Sequence, residues 1–445
     1  MYPQLLLPDL KEMLAEDDKA GLAEFCDVLY PPVAAEVLAG LPAEDVWRVL
    51  ENCSLSRQVE IFEFFDLAKQ IELVDKLDRK RLSRLIEEMS PDDRVDLLNR
   101  LDSDRVENLL PLIAQAERSD IRKLLSFPEH SAGAIMTTEY ASLPADISVR
   151  EALERLRKQA PNRETIYYVY ILGDDRRLEG TVSLRELILA KPDAKLADIM
   201  RRDVISVRVD DDQEHVVQEL GQYDFLAIPV VDSQNRLVGI VTHDDVLDIV
   251  QEEADEDAYR LGAVQPLEDS YLETPLLTIA WKRGVWLVPL MFAAVVTAFV
   301  QLQYEGVAEE HLWLGLFVPM VIACGGNAGS QSATLLIRAL SLRQSGSFRG
   351  AGVIARELLV GFSLGIGLGL LGFLLTLLFV APEHAMIVGS TVMLVVVMGA
   401  VMGAMLPILF ERLGMDPALM SNPLVASLSD ILGLLIYYNV AVLVL

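Results

Sequence analysis

The sequence predicts a multidomain protein of mixed α and α/β class. A helical superhelix comes first, then a tandem α/β repeat, an acidic connecting helix and a five-helix transmembrane domain. Three observations predict this. Charge divides the 445 residues near Lys282: the first 281 hold 58 acids and 31 bases, a net of −27, and the rest hold eight acids and seven bases. Met136 and Met200 open similar stretches 64 residues apart. Five long apolar runs fill the C-terminal part. The length has room for two to four domains. An acidic soluble half repels nucleic acid and attracts metal cations, so no nucleic-acid partner is expected. Cys26, Cys53 and Cys324 show no paired or metal-ligand spacing and suit a reducing compartment. The start, "MYPQLLLPDLKEML", lacks the basic stretch and long apolar run of a secretory signal.

Residues 40–128 read as short helices within a helical domain over 1–130. "LDRKRLSRLIEEM", "SPDDRVDLLNRL" and "DSDRVENLLPLI" carry apolar residues at three- and four-residue spacing, each opening on Asp or Ser as a cap. A recurrence of about a dozen residues suggests stacked helices wound into a superhelix. Taken alone, Asp92, Asp93 and Asp96 fit the positive end of a helix dipole.

The repeat follows, over 131–200 and 201–250. Each copy has a helix, an apolar strand ("YYVYIL", "AIPVVD"), a polar turn, then "LEGTVSLREL" or "LVGIVTHDDV". Strand–turn–strand–helix units of this length pair into one α/β module. The pattern resembles a tandem of CBS domains, most clearly in "VVDSQNRLVGIVTHDDVL". Such pairs commonly bind adenine nucleotides between the repeats. An acidic helix is expected over 244–272, where Asp245, Asp248, Glu252, Glu253, Asp255, Glu256 and Asp257 crowd together. The plain reading is a solvated linker, but like charges this close repel, and hard divalent cations prefer carboxylate oxygens.

From 273 onward the spans are placed near 283–303, 312–340, 354–380, 385–410 and 419–445, each long enough for a ~30 Å hydrocarbon core. Lys282, Arg283, Arg343, Arg349, Arg356 and Arg412 fall on one side and acidic connections on the other, with Arg338 at a span end. This bias puts the soluble half in the cytoplasm and the C-terminus outside. Two spans are expected to have interrupted, small-residue interiors. One holds Gly325, Gly326, Asn327, Gly329, Ser330 and Thr334; the other holds Ser421, Asn422, Pro423, Ser427, Ser429 and Asp430. Pro423 is expected to break the helical ladder and free carbonyls, that of Asn422 included. The glycines fit close helix packing, and no Gly-Lys-Ser/Thr follows them as in a phosphate loop. A carboxylate at the depth of Asp430 costs several kcal/mol and points to function. In a symmetric dimer it would occur twice about the axis, a small acidic ring suited to a cation.

Together these features resemble the MgtE magnesium channels over essentially the whole chain. The most specific strings are "GGNAGSQSATLLIRAL" and "GAMLPILFERLGMDPALMSNPLVASLSDILGLLIYY". The resemblance implies a homodimer in the bacterial plasma membrane, in contact with lipid, with one axial pore lined by the second and fifth spans. It implies that Asp430 binds hydrated Mg²⁺, that Asn422 and Ala426 offer backbone carbonyls, and that Thr334, Gly325, Gly326 and Asn327 lie beside the ion. Regulatory Mg²⁺ is implied at Asp92 and Asp96 in the helical domain and at Glu214, Asp224 and Asp245 in the CBS pair. Along the acidic "plug" helix it is implied at Asp248, Glu253, Glu256 and Asp257, with Asp416 meeting the plug at the membrane face. ATP is the implied regulator, at Tyr168, Arg185, Glu186, Asp224 and Phe225. Glu186 departs from a position where aspartate is frequent, which puts the ribose contact in doubt; Cys324 and Ser330 are minor departures.

The implied mechanism is electrostatic: bridging Mg²⁺ cancels repulsion among the acids and closes the pore. Three other readings compete. A divalent-cation secondary transporter also suits broken helices and a midplane acid. An intramembrane aspartyl enzyme would use both Asp430 copies of a dimer, there being no second intramembrane acid, no His-Glu-x-x-His helix and no nucleophile with a base. A non-conducting sensor is the third. Selectivity among Mg²⁺, Mn²⁺, Co²⁺ and Ni²⁺ is not written in these residues.

Overall fold

The computed structural model describes residues 2–267, 271–272, 274–341, 350–419 and 422–445. Arg343, Arg349 and Ser421 lie outside the described residues. The chain divides into two compact units, Met1–Val250 and Gln251–Leu445.

The first unit begins with α1 (Tyr2–Glu16), α2 (Lys19–Val28), α3 (Pro31–Ala39), α4 (Ala43–Leu50) and α5 (Leu55–Glu63). It continues with α6 (Leu67–Asp75), α7 (Arg79–Glu88), α8 (Pro91–Arg100), α9 (Ser103–Leu109) and α10 (Gln115–Leu124). Local chemistry sets several starts: the Ser54 and Asp78 side chains accept from backbone amides of the first turn, and Pro31 and Pro91 stand at the first helical position. From α1 to α10 each helix packs on the one two places along, the contact pattern of a solenoid. One continuous core runs from Leu10 and Leu22 through Leu38 and Phe62 to Leu97 and Ile121. Helix therefore begins well before residue 40, where the sequence pattern first becomes periodic.

Two three-stranded sheets follow, with the same topology. In the first, β1 (Tyr140–Leu143) pairs parallel with β2 (Thr165–Leu172), which pairs antiparallel with β3 (Leu178–Ser183). In the second, β4 (Val207–Arg208), β5 (Ala227–Val231) and β6 (Leu237–Thr242) repeat that order. Tyr168 opposite Ser183 and Ala227 opposite Thr242 start the equivalent hairpins. Their helices are α11 (Val149–Gln159), α12 (Leu184–Leu189), α13 (Leu196–Ile199) and α14 (Gln213–Gln222). The boundary expected at residue 200 is crossed both ways. Thr137 pairs with Ile240 of the second sheet, and Thr181 of the first pairs with Arg201. One edge of each sheet, β3 in the first and β6 in the second, is met by chain from the other repeat, which satisfies backbone groups that an isolated repeat would leave open. Helix α15 (His243–Leu261) follows.

Among its described residues the second unit contains five helices long and apolar enough to cross a membrane. They are α16 (Leu276–Gln303), α18 (Trp313–Ser341), α19 (Gly350–Thr376), α20 (Pro382–Arg412) and α21 (Asn422–Val444); the short α17 (Glu305–Glu310) joins the first two. Helix α20 lies against α18, α19 and α21, and α16 packs on α21. Tyr304, just after α16, stacks on Tyr438 at 4.9 Å. Two sequence expectations need correction. The small-residue stretch does not interrupt its span, because α18 is one continuous helix. Pro423 does not break the last span either. It sits in the first turn of α21, where a missing N–H removes no helical bond.

Candidate metal-ion site

Helices α18 and α21 present one stripe each. Gly326, Ser330 and Thr334 recur every four residues, as do Asn422, Ala426 and Asp430, so each set shares a helix face. The stripes meet in reversed order. The Thr334 hydroxyl donates to Asn422 Oδ1 at 3.1 Å, and the Ser330 hydroxyl to the Asn422 carbonyl at 3.2 Å. A β-carbon on Gly326 would lie 3.5 Å from Ala426 Cβ and 3.6 Å from Asp430 Oδ1. Glycine there keeps open the space in front of the carboxylate. Among the described residues no Lys or Arg pairs with Asp430. Asp430 is half-buried, and Asn327 and Thr334 are exposed in the single chain.

The other glycines do different work. A β-carbon on Gly325 would fall 2.3 Å from Val395 Cγ1 of α20, so Gly325 faces α20 and not the α21 stripe. β-Carbons on Gly399 and Gly403 would lie 2.4 and 2.1 Å from the carbonyls of Gly325 and Gly329. Helices α18 and α20 thus cross backbone to backbone, the close approach that small residues permit in lipid. This contact is why α18 stays helical through its glycines. On the same helix, the buried Ser332 hydroxyl lies 2.8 Å from both Glu357 Oε2 of α19 and the Ala400 carbonyl. Glu357 is a second acid inside a span, contrary to the expectation from sequence. Its proximity to the start of α19 and its serine partner make it tolerable there.

In the first unit a separate set of carboxylates converges. Glu63, Asp92, Asp93, Glu164 and Asp245 influence one another's protonation, and among the described residues none has a Lys or Arg partner. Burial, then Asp245 and Asp93, push the Asp92 carboxyl well up; its Oδ1 is buried without a hydrogen-bond partner among the described residues. Burial raises Asp93 against a Ser90 hydrogen bond, with Asp248 adding to the rise. Burial raises Asp245 against the hydrogen bond that the Thr242 hydroxyl donates. Glu63 and Glu164 are each pushed up to about 7, burial first. The Ser90 hydroxyl lies 3.1 Å from Glu63 Oε1 and 2.8 Å from Asp93 Oδ2, and its one proton cannot serve both. An uncompensated acidic cluster of this kind is chemically suited to a hard cation. No three acidic, His or Cys side chains stand at ligating geometry among the described residues.

The remaining expected residues are placed as follows. Asp96 is exposed one turn after Asp92 on α8, and Asp248 is exposed on α15. Glu214 accepts from the Gln218 amide at 3.3 Å. Asp224 is exposed with φ +52°, in the left-handed region. In the second unit, Glu253, Glu256 and Asp257 are half-buried on α15. The Arg260 guanidinium pairs with both Glu256 and Asp416, and Asp416 Oδ1 accepts from the Ala418 amide at 2.8 Å. A cation of the chain's own therefore bridges two expected metal ligands. Beside Asp224, Tyr168 and Phe225 meet edge to face at 6.3 Å, and Tyr223 stacks on Phe225 at 5.5 Å. Arg185 is exposed at the start of α12. The Glu186 carboxylate is already engaged. It caps α12 through Ser183 and accepts from Arg201, and against burial these bonds hold it below its usual range.

Sequence reasoning missed Glu63, Glu164, Arg260 and Tyr223 as site residues. Tyr223, two residues before Phe225, was the most findable; the others are ordinary surface residues until the fold assembles them.

Comparison with known proteins agrees with this architecture. The MgtE family model, described as a divalent cation transporter, matches residues 318–440. The MgtE intracellular N domain matches 29–130, and the CBS domain matches 132–193 and 196–252. The Thermus thermophilus magnesium transporter MgtE is 39% identical over 446 residues, covering 99% of this chain and 98% of that protein. The Bacillus subtilis magnesium transporter MgtE is 32% identical, covering 99% and 97%. A crystal structure of the soluble part of a magnesium transporter aligns with TM-score 0.54 at 35% identity, over 57% of this chain and 99% of that one. The cytosolic domain of the Mg²⁺ channel MgtE in complex with ATP aligns with TM-score 0.53 at 37% identity, over 55% and 100%. The chain belongs to the MgtE family of magnesium transporters, a transport family and not a family of enzymes.

Proposed function

We propose that this chain is a Mg²⁺ channel of a bacterial plasma membrane, with its first unit in the cytoplasm and its C-terminus outside. It works as a homodimer whose axial pore is lined by α18 and α21. The observation that carries this reading is Asp430 facing the small-residue stripe of α18 without a cationic partner among the described residues. Mg²⁺ gives up water reluctantly and demands octahedral geometry. One carboxylate per subunit, with hydroxyls and amides around it, holds the hydrated ion loosely enough to pass it on. The continuity of α18 removes one broken helix on which a coupled transporter would rely.

Cytoplasmic Mg²⁺ closes the pore in this account. The carboxyls of Asp92, Asp93 and Asp245 are raised first by burial and then by neighbouring acids, and a bound dication offsets both. A shift from 1:99 to 99:1 open to closed requires about 5.5 kcal/mol of differential binding, which several weak sites supply jointly. Asp96, Glu214, Asp224, Asp248, Glu253, Asp257 and Asp416 are the further candidate ligands. The aromatic group of Tyr168, Tyr223 and Phe225 fits an adenine ring, so ATP is the candidate regulator; Glu186 must leave Ser183 or Arg201 to reach a ribose.

The test is Mg²⁺ entry into liposomes containing the purified protein, followed with a trapped Mg²⁺ dye. The reading expects entry driven by the Mg²⁺ gradient alone and lost in Asp430→Asn. Entry that needs a proton or sodium gradient would establish the coupled transporter instead.

A further inference from the structure

The two CBS repeats are fastened tip to tip, and a hollow of about 340 Å³ opens beside the join. Arg177, at the turn between β2 and β3, pairs backbone to backbone with Arg236, at the turn between β5 and β6. The Leu178 amide donates to the Asn235 carbonyl at 3.0 Å, and the Asn235 side chain donates to the Leu178 carbonyl at 3.2 Å. Both turns hold left-handed backbone: Asp175, Arg176 and Asn235 stand at φ +60°, +63° and +60°, a strain that often marks a functional site. Three cations line the hollow, each from a different element: Lys123 from the last turn of α10, Arg176 from the first tip and Arg236 from the second. The Arg176 guanidinium is held in place by donating to the Tyr140 hydroxyl, which donates in turn to the Leu237 carbonyl at 3.3 Å. Asp175 and Asp232 share the lining, which is therefore net +1, in a stretch of chain whose net charge is −27. Among the described residues none of the three cations makes an ion pair.

We propose that this hollow is a binding site for a phosphate dianion, free or carried on a small soluble molecule. Two guanidinium forks match phosphate oxygens in pairs, and the lysine adds a point charge. Asp232 does not cancel them, because its Oδ1 is taken by the backbone amides of Gln234 and Arg236 at 2.8 and 2.9 Å. Burial, then the Arg176 charge, hold the Lys123 ammonium below its usual range against the pull of Asp120 and Asp232, and a bound anion relieves that crowding. The volume is in the range of small-molecule sites and exceeds what a bare phosphate needs. Arginines at turn tips more often serve as solvated surface charge, but here three separate elements, two of them tied by backbone bonds, bring theirs to one hollow. The site is also distinct from the residues expected for the nucleotide. Tyr168 pairs with Ser183 at the open end of the β2–β3 hairpin, whereas Leu172 pairs with Leu178 at the tip, about 13 Å along the strand.

The experiment is isothermal titration calorimetry of the full-length protein in detergent, without Mg²⁺, with inorganic phosphate in one arm and glycerol 3-phosphate in the other. The inference expects one saturable site per chain that weakens as chloride is raised. Arg236→Gln and Lys123→Gln should each weaken binding about tenfold or more. Arg236→Lys, which keeps the charge and loses the fork, should fall between wild type and Arg236→Gln. Arg177→Gln removes the same charge from the same tip but lies outside the lining, so binding there should be unchanged. All three positions are exposed, so the variants keep the fold, which an unchanged thermal midpoint checks. Tighter binding of the ester names an organic phosphate as the source, and tighter binding of inorganic phosphate names the free ion; both support the site. No saturable heat in either arm, or undiminished binding in Arg236→Gln, would overturn it. So would loss of binding in Arg185→Gln alone, which would put the anion with the nucleotide residues instead.

Discussion

Gly403→Ala isolates the backbone-to-backbone crossing that holds the second unit together. The added methyl carbon would stand 2.1 Å from the Gly329 carbonyl oxygen, against the 3.4 Å at which ordinary contact begins, so the helices must part by about 1.3 Å. Helix α18 has nowhere to go. On its other side a β-carbon at Gly329 already would meet Val425 Cγ1 at 3.0 Å and Ser429 Oγ at 3.1 Å. Overpacking of this kind costs about 1–3 kcal/mol, which lowers the thermal midpoint of a unit this size by about 2–10 °C. The displaced α18 carries Ser330 and Thr334 with it, so Mg²⁺ flux should fall with stability. Gly367→Ala is the matched control, since nothing lies within 4 Å of a β-carbon there. It also removes a glycine from a helix, worth up to about 1 kcal/mol in the stabilising direction. Differential scanning fluorimetry in detergent and liposome flux read both variants. Equal midpoints and equal flux for the two would refute the packing argument.

Three further predictions address other contacts. Ser332→Ala removes the hydroxyl that links α18 to Glu357 and to Ala400, costing about 1–3 kcal/mol in detergent unfolding; an unchanged midpoint would show the linkage to be idle. Arg260→Gln leaves Glu256 and Asp416 facing each other, so hydrogen exchange at the end of α15 should quicken without Mg²⁺ and slow again when it is added, whereas exchange unaffected by the variant would contradict the bridging role. Glu63 has a folded value of about 7 against an ordinary 4.5, so the folded state binds the extra proton and stability falls as pH rises through that window. In Mg²⁺-free buffer the lowest-melting transition should therefore be more stable at pH 6 than at pH 8, by about 1 kcal/mol from this group, and Glu63→Gln should flatten the difference.

Much of the architecture was legible because its signals are local. An apolar run of membrane length declares itself, and so does a unit repeated from Met136 to Met200. Asp430 stood out because a carboxylate is costly in such a run. What stayed hidden depends on partners far along the chain. The glycines of α18 look like a break until Gly399 and Gly403, more than seventy residues later, supply the surface that keeps the helix intact. The bridges that Thr137 and Arg201 make to the other repeat's sheet leave no mark on hydropathy, since each repeat remains correctly patterned. Glu63 is one acid among 66, and only the turn of the solenoid that brings Ser90 and Asp93 to it makes it unusual. Arg260 reads as an ordinary i,i+4 partner of Glu256; Asp416, 156 residues away, gives it a second role.

The central claim is that Asp430 and its stripe conduct hydrated Mg²⁺ through an open pathway under the control of internal Mg²⁺. The direct measurement is current through the purified protein in a planar bilayer, with Mg²⁺ as the only permeant cation and its concentration varied on the side of the first unit. The account predicts discrete unitary currents that disappear steeply as Mg²⁺ on that side rises, and that are absent in Asp430→Asn. Full-sized currents in Asp430→Asn, or gradient-driven Mg²⁺ uptake without any resolvable current, would contradict it.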